Sequence, residues 1–120
     1  MTELARYGRE LDLNPVYNRT FSLAFTVAQS DDTPVDLTTY TAKMQIRASA
    51  GGTLYLELTD SSGITLGGAL GTVSITITDE QTEAFTFTEA VYDLVLVSQS
   101  GVQLDVLYGA IYMHDAVTEL

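Results

Sequence analysis

With 120 residues and no cysteine, the chain is long enough to bury a core without a disulfide or a thiolate-bound metal. Hydrophobic residues make up 46% and charged residues 18%, which excludes the polar, highly charged composition of a disordered chain. Sixteen acids against five bases give a formal charge of −11, and a surface this negative repels phosphate backbones, so no nucleic-acid partner is expected.

The run over 1–17 reads as an N-terminal arm. It lacks the apolar core of a secretory signal, and no stretch of the chain approaches the ~18 apolar residues of a membrane span. The expectation is a soluble protein made in the cytoplasm, with no membrane partner. Leu4, Tyr7, Leu11 and Leu13, interleaved with Arg6 and Arg9, make the arm too apolar for a solvated tail. It either lies along a neighbouring subunit or adds a strand, over Arg9–Leu13, to its own sheet.

From Thr20 to Ala28 apolar residues recur at every second position: Phe21, Leu23, Phe25 and Val27 share one face, as in a half-buried strand. Asp31-Asp32-Thr33-Pro34 reads as a turn. Tyr40, Ala42, Met44 and Ile46 then alternate with Thr41, Lys43, Gln45 and Arg47, a strand with one greasy and one polar face. Ser49 to Gly52 is a hairpin loop, and the return strand Thr53–Leu58 points Leu54, Leu56 and Leu58 inward and Tyr55 outward. After a turn at Asp60–Gly63 come a short piece, Ile64–Leu66, and a glycine-rich loop to Gly71.

Thr72–Thr78 alternates Val73, Ile75 and Ile77 with Thr and Ser, giving another strand. Asp79–Ala84 is a one- or two-turn helix capped by Thr78 or Asp79. Val91–Ser98 is apolar at nearly every position, as expected of a central strand covered on both faces. Gln99-Ser100-Gly101 turns into a final strand, Val102–Met113, in which Gly109 marks a bulge or a close backbone approach. About seven strands at regular spacing imply a single all-β domain, an immunoglobulin-like antiparallel β-sandwich with one short helical turn. The layout is an arm over 1–17, the sandwich over 18–113 and a tail over 114–120.

The chemical inventory is thin. His114, beside Asp115, is the single histidine, and no Gly-x-Ser-x-Gly elbow accompanies it, so no catalytic residue is assigned. Asp31, Asp32 and Asp36 bracket a loop with oxygen ligands suited to Ca²⁺, but the spacing is not that of an EF-hand and turn chemistry accounts for them. No metal and no cofactor is expected. All five bases, Arg6, Arg9, Arg19, Lys43 and Arg47, lie in the first half of the chain. That asymmetry either only keeps the protein soluble or places opposite potentials on opposite ends, which suits head-to-tail stacking with acidic and basic partners. The candidate partner-binding residues are Arg6, Tyr7, Arg9, Leu11, Leu13 and Tyr17 of the arm, with the outward Tyr55; tyrosine buries area while keeping a polar tip.

The run from Phe21 to Val27, then Thr33-Pro34-Val35-Asp36-Leu37-Thr38-Thr39-Tyr40-Thr41-Ala42-Lys43-Met44-Gln45-Ile46-Arg47, resembles small virion proteins of tailed bacteriophages. Leu54–Thr59, Gly63–Leu66, Tyr92-Asp93-Leu94 and Leu107-Tyr108-Gly109 continue the resemblance, which extends to the N-terminal domain of phage baseplate upper proteins. Thr39 stands where the family has Gly, and Phe85–Ala90 where it tends to have a Pro-Gly turn. The resemblance implies a non-enzymatic part of the virion: a tail, baseplate or fibre-attachment adaptor present in multiple copies and docked to other phage structural proteins. A capsid-decorating cement protein and a carbohydrate-binding sandwich are the alternatives.

Overall fold

Alternating burial along each strand builds two sheets face to face. The computed structural model describes residues 8–29 and 31–120. The larger sheet holds five strands: β1 (Arg9–Glu10), β3 (Thr41–Arg47), β4 (Leu54–Thr59), β7 (Glu89–Val97) and β8 (Gln103–Tyr112), in the order β1-β8-β7-β3-β4. The smaller holds β2 (Phe21–Thr26), β5 (Ile64–Leu66) and β6 (Thr72–Ile77), in the order β2-β6-β5. Every pairing is antiparallel except that of β1, which runs parallel to β8.

The core lies between the inner faces. Met44, Ile46, Leu58, Leu94, Leu96 and Ile111 of the larger sheet and Val73, Ile75 and Ile77 of the smaller are almost completely buried. Complete burial of side chains this size stabilises by about 1.5–3 kcal/mol each before entropy is counted. Leu13 and Leu37, outside the strands, belong to the same core.

Two irregularities reset the alternation. In the β3–β4 ladder Ile46 faces Leu56 but Arg47 faces Leu54, so Tyr55 is an extra residue. This bulge reverses the predicted orientation of two side chains. Leu54 sits on the outer face, 44% exposed, and Tyr55 turns in to stack on Phe87 at 4.4 Å between ring centroids. In the β7–β8 ladder Leu94 faces Leu107 while Val95 faces Asp105, which leaves Val106 extra, and Val106 and Leu107 are both buried.

The short helix α1 (Asp79–Ala84) starts with a reciprocal capping box: Gln81 N–H donates to Thr78 Oγ1, and Thr78 N–H donates to the Gln81 side chain at 2.9 Å. Thr82 on α1 is a fully buried polar residue. Its hydroxyl donates to the Arg19 carbonyl at 2.8 Å and accepts from Arg19 N–H at 3.0 Å, tying the approach to β2 onto the helix. Phe85 and Phe87 follow as buried plugs, 4.7 Å apart, where the resemblance led to the expectation of a turn.

Gly71 is required by its surroundings. Its φ is +71°, and a Cβ there would lie 2.8 Å from the Val35 carbonyl and 2.9 Å from that of Val27. The loop after β2 is thereby held against the glycine-rich turn, where Val27 N–H donates to Gly71 O at 2.8 Å.

Replacing Thr82 with Val keeps the shape and removes both bonds to Arg19. The expected cost is about 1–3 kcal/mol, read as a lower urea midpoint with an unchanged slope.

Candidate functional site

The arm resolves first. Leu11 N–H donates to Tyr108 O at 2.8 Å, Leu13 N–H to Ala110 O at 2.9 Å and Tyr17 N–H to His114 O at 3.0 Å. From Arg9 to Tyr17 the chain therefore pairs along its own β8, as one of the two expectations had it. Leu13, a candidate docking residue, is 3% exposed and belongs to the core. Tyr17 is half-buried and donates its hydroxyl to the Phe87 carbonyl. Tyr55 is half-buried against the same phenylalanine, so all three contribute packing to the domain's own core. Leu11 is half-buried in a groove of about 300 Å³ between β1 and β2, and Arg9 is exposed on its rim. Arg6 and Tyr7 lie outside the described residues.

The close approach predicted at Gly109 is to this arm. A Cβ on Gly109 would lie 2.6 Å from the Leu11 carbonyl oxygen. The same oxygen accepts from the Tyr92 hydroxyl at 2.6 Å, and Asp12 Oδ1 accepts from Ala110 N–H at 3.0 Å. Burial, and secondarily the nearby Asp12 carboxylate, pushes the Tyr92 phenol up to about 12.

The acidic loop spends its carboxylates on its own turns. Asp31 Oδ1 accepts from Thr33 N–H and Asp36 Oδ1 from Thr38 N–H, both at 3.0 Å. The bonds from Thr33 and Thr38 lower the two pKa values. Among the described residues no three His, Cys, Asp or Glu side chains gather as a metal site. His114 pairs with Asn14 Oδ1 at 3.2 Å.

What the strands leave open is the outer face of the five-stranded sheet. β7 is central in its ladder, as predicted, but among the described residues nothing covers its outer side: Val91 is 39% exposed, and Val95 and Val97 are half-buried. Beside it on β8, Tyr108 is 44% and Tyr112 39% exposed, with Ala110 between them on the same side. Leu54 joins at the far edge. Two shallow depressions, of about 650 and 500 Å³, lie along this face and share Gln45 and Asp93.

The face carries charge of both signs, with acids on β1, β4, β7 and β8 and both bases on β3. Lys43 and Arg47 stand on β3; Arg47 is tethered by Nη1 to the Gly52 carbonyl at 2.7 Å and by Nε to Gln45 at 3.0 Å. Lys43 Nζ lies 3.9 Å from Glu57, an exposed, loose pair. Asp105 stands on β8, and Glu10 and Asp12 along β1 and its continuation. Asp93 sits between the two sides. Partial burial raises its pKa, Asp105 raises it further, and Arg47 draws it back.

The strand composition carried a signal for this face. Val91, Val95 and Val97 occupy the solvent parity of β7, and Tyr108 and Tyr112 share one parity of β8. Apolar residues on both faces of a strand signify either two covers or one missing cover.

No protein-family model matches the chain, and no curated protein sequence does. Among solved structures it is similar to the extracellular domain of the voltage-gated sodium channel beta4 subunit, which forms parallel homodimers that explain its role in cell-cell adhesion. The TM-score is 0.51 at 13% identity, covering 92% of this chain and 95% of that one. A likeness at this identity is one of fold. The chain is an immunoglobulin-like β-sandwich.

The Tyr92–Leu11 bond gives a pH signature. The unfolded phenol titrates near 10.0 and the folded one near 12, so between these values only the folded chain keeps the proton. Stability is complete below pH 10.0 and should fall as pH rises towards 12. Tyr92→Phe should abolish that fall and cost about 1 kcal/mol at neutral pH, read by urea unfolding across a pH series.

Proposed function

We propose that the chain is a structural virion protein of a tailed bacteriophage, a tail, baseplate or fibre-attachment adaptor that acts by docking to other proteins and performs no catalysis. The observation that carries this reading is the outer face of the five-stranded sheet, which no described residue covers and which presents Val91 and Val95 on β7 beside Tyr108 and Tyr112 on β8, with Glu89, Asp93 and Asp105 among them. Apolar strips of this kind on a folded domain mark protein contacts. The run Thr33–Arg47, with its resemblance to phage virion proteins, supports the setting. An immunoglobulin-like neighbour whose domains pair as homodimers supports assembly in several copies.

The docking residues under this reading are those of the open sheet, with Arg9 at its β1 edge. Cement on a capsid shell would use the same face, and copy number per particle separates the two positions: ring-sized for the tail, shell-sized for the head.

Val91→Arg places a charge in the middle of the strip without touching the core. The variant should keep the native circular dichroism spectrum and melt within a few degrees of wild type. It should be lost from particles assembled in the host, as measured by quantitative mass spectrometry. Incorporation at wild-type level would overturn the reading.

A further inference from the structure

One row of the open face runs straight across all five strands. The register sets Glu10 on β1 beside Tyr108 on β8, and Tyr108 beside Asp93 on β7. Asp93 in turn stands beside Gln45 on β3, and Gln45 beside Glu57 on β4. The row holds three carboxylates and no base. At its β4 end Glu57 is answered from within the chain: the Gln45 amide donates to it at 2.6 Å, and Lys43 Nζ lies 3.9 Å away. That is the one salt bridge among the described residues, and neither Glu10 nor Asp93 has a part in it. The Tyr108 ring stands between these two acids, about 4.8 Å in strand spacing from each.

The neighbouring positions extend the pattern. Asp12 is fixed beside Ala110 by its bond to the Ala110 N–H, and Tyr112 pairs with Glu89. Small Ala110, with Val91 beside it, floors the depression of about 650 Å³ between the two tyrosines, and Glu10, Asp12 and Asp93 line it. The base on its far side, Arg47, is already tethered to the Gly52 carbonyl and to Gln45.

An aromatic face and a carboxylate both attract a cation, and an apolar floor accepts the methylene stem of a Lys or Arg side chain. An anionic occupant is repelled here, and a neutral one would desolvate carboxylates without answering their charge. A second copy of this face brings the same acids: laid on itself, the row opposes Glu57 to Glu10 or each acid to its own equivalent. We propose that this part of the sheet docks the basic surface of a different protein, with a Lys or Arg side chain seated between Tyr108 and Tyr112 and met by Glu10, Asp12 and Asp93. The formal charge of −11 steers such a partner towards the chain. The inference rests on the docking reading above and names the chemistry of the partner.

Charge reversal in assembled particles tests it. Glu10→Lys and Asp93→Lys each reverse one charge of the row, while Glu83→Lys on α1 and Glu119→Lys in the tail change the net charge equally elsewhere. All four positions are exposed, so the native circular dichroism spectrum should persist. By quantitative mass spectrometry the two row variants should be depleted from particles about tenfold or more, and the two controls incorporated at wild-type level. Asp93→Asn, nearly isosteric, should show a smaller loss of the same sign. Row variants incorporated as well as the controls would overturn the basic partner. Zero-length carbodiimide cross-linking of wild-type particles reads the occupant directly. A link from Glu10 or Asp93 to a lysine of another protein supports the proposal. A link from Glu10 to Lys43, the chain's one lysine, would overturn it, because three strand spacings, about 14 Å, separate β1 from β3 and only a second copy can form that link. If Val91→Arg drops out of particles while the row variants are incorporated normally, docking stands and only the partner's charge changes. If Val91→Arg is incorporated normally, the docking reading itself falls.

Discussion

The structure depends on the register of β7. This strand is hydrogen-bonded on both sides, to β3 and to β8, and its inward residues Tyr92, Leu94 and Leu96 are almost completely buried. A slip of one residue would turn Leu94 and Leu96 to solvent and bring Asp93 and Val95 inward. The burial of two leucines opposes burial of a carboxylate, so the register is strongly determined. Once it is set, Met44 and Ile46 follow on β3, Leu104 and Ile111 on β8, and Val73, Ile75 and Ile77 come to rest against them.

The same register decides the outer face, since every residue not turned in is turned out. Asp93 is forced outward between two valines, and the aromatic pair on β8 comes out beside it. The arm contributes to this by a specific route. Gly109 lets the Leu11 carbonyl approach β8, the Tyr92 hydroxyl reaches out from the core to hold it, and Asp12 binds the adjacent Ala110 N–H. Acids are thereby fixed along the β1 margin of the sheet, Lys43 and Arg47 stand on β3, and Glu57 on the β4 edge returns a negative charge beside Lys43.

Much of the fold was legible in the sequence. Strands with strict alternation, such as Thr41–Arg47 and Thr72–Ile77, declare their inner faces, and a capping residue at Thr78 or Asp79 ahead of acids declares the helix. Tyr55 was misplaced because a bulge adds one residue to β4 beyond Glu57, and period-two reasoning has no means of seeing a residue without an opposite number. Thr82 was passed over because its partner, Arg19, is far away in sequence. The outer face of β7 escapes the pattern for a different reason: apolar residues at both parities imply a cover on each side, and the described residues supply only the inner one. Tyr17 and Tyr55 are candidates because tyrosine suits interfaces, and Leu11 and Leu13 because the arm is too apolar for a solvated tail, yet all four pack on the domain's own core.

Hydroxyl-radical footprinting of the tyrosines, free and in the assembled particle, addresses the open face most directly. Tyr108 and Tyr112, 44% and 39% exposed, should be modified in the free chain and protected on assembly, while Tyr92, 4% exposed, stays unmodified in both. Equal modification of Tyr108 and Tyr112 before and after assembly would contradict the claim that this sheet face is where the protein works.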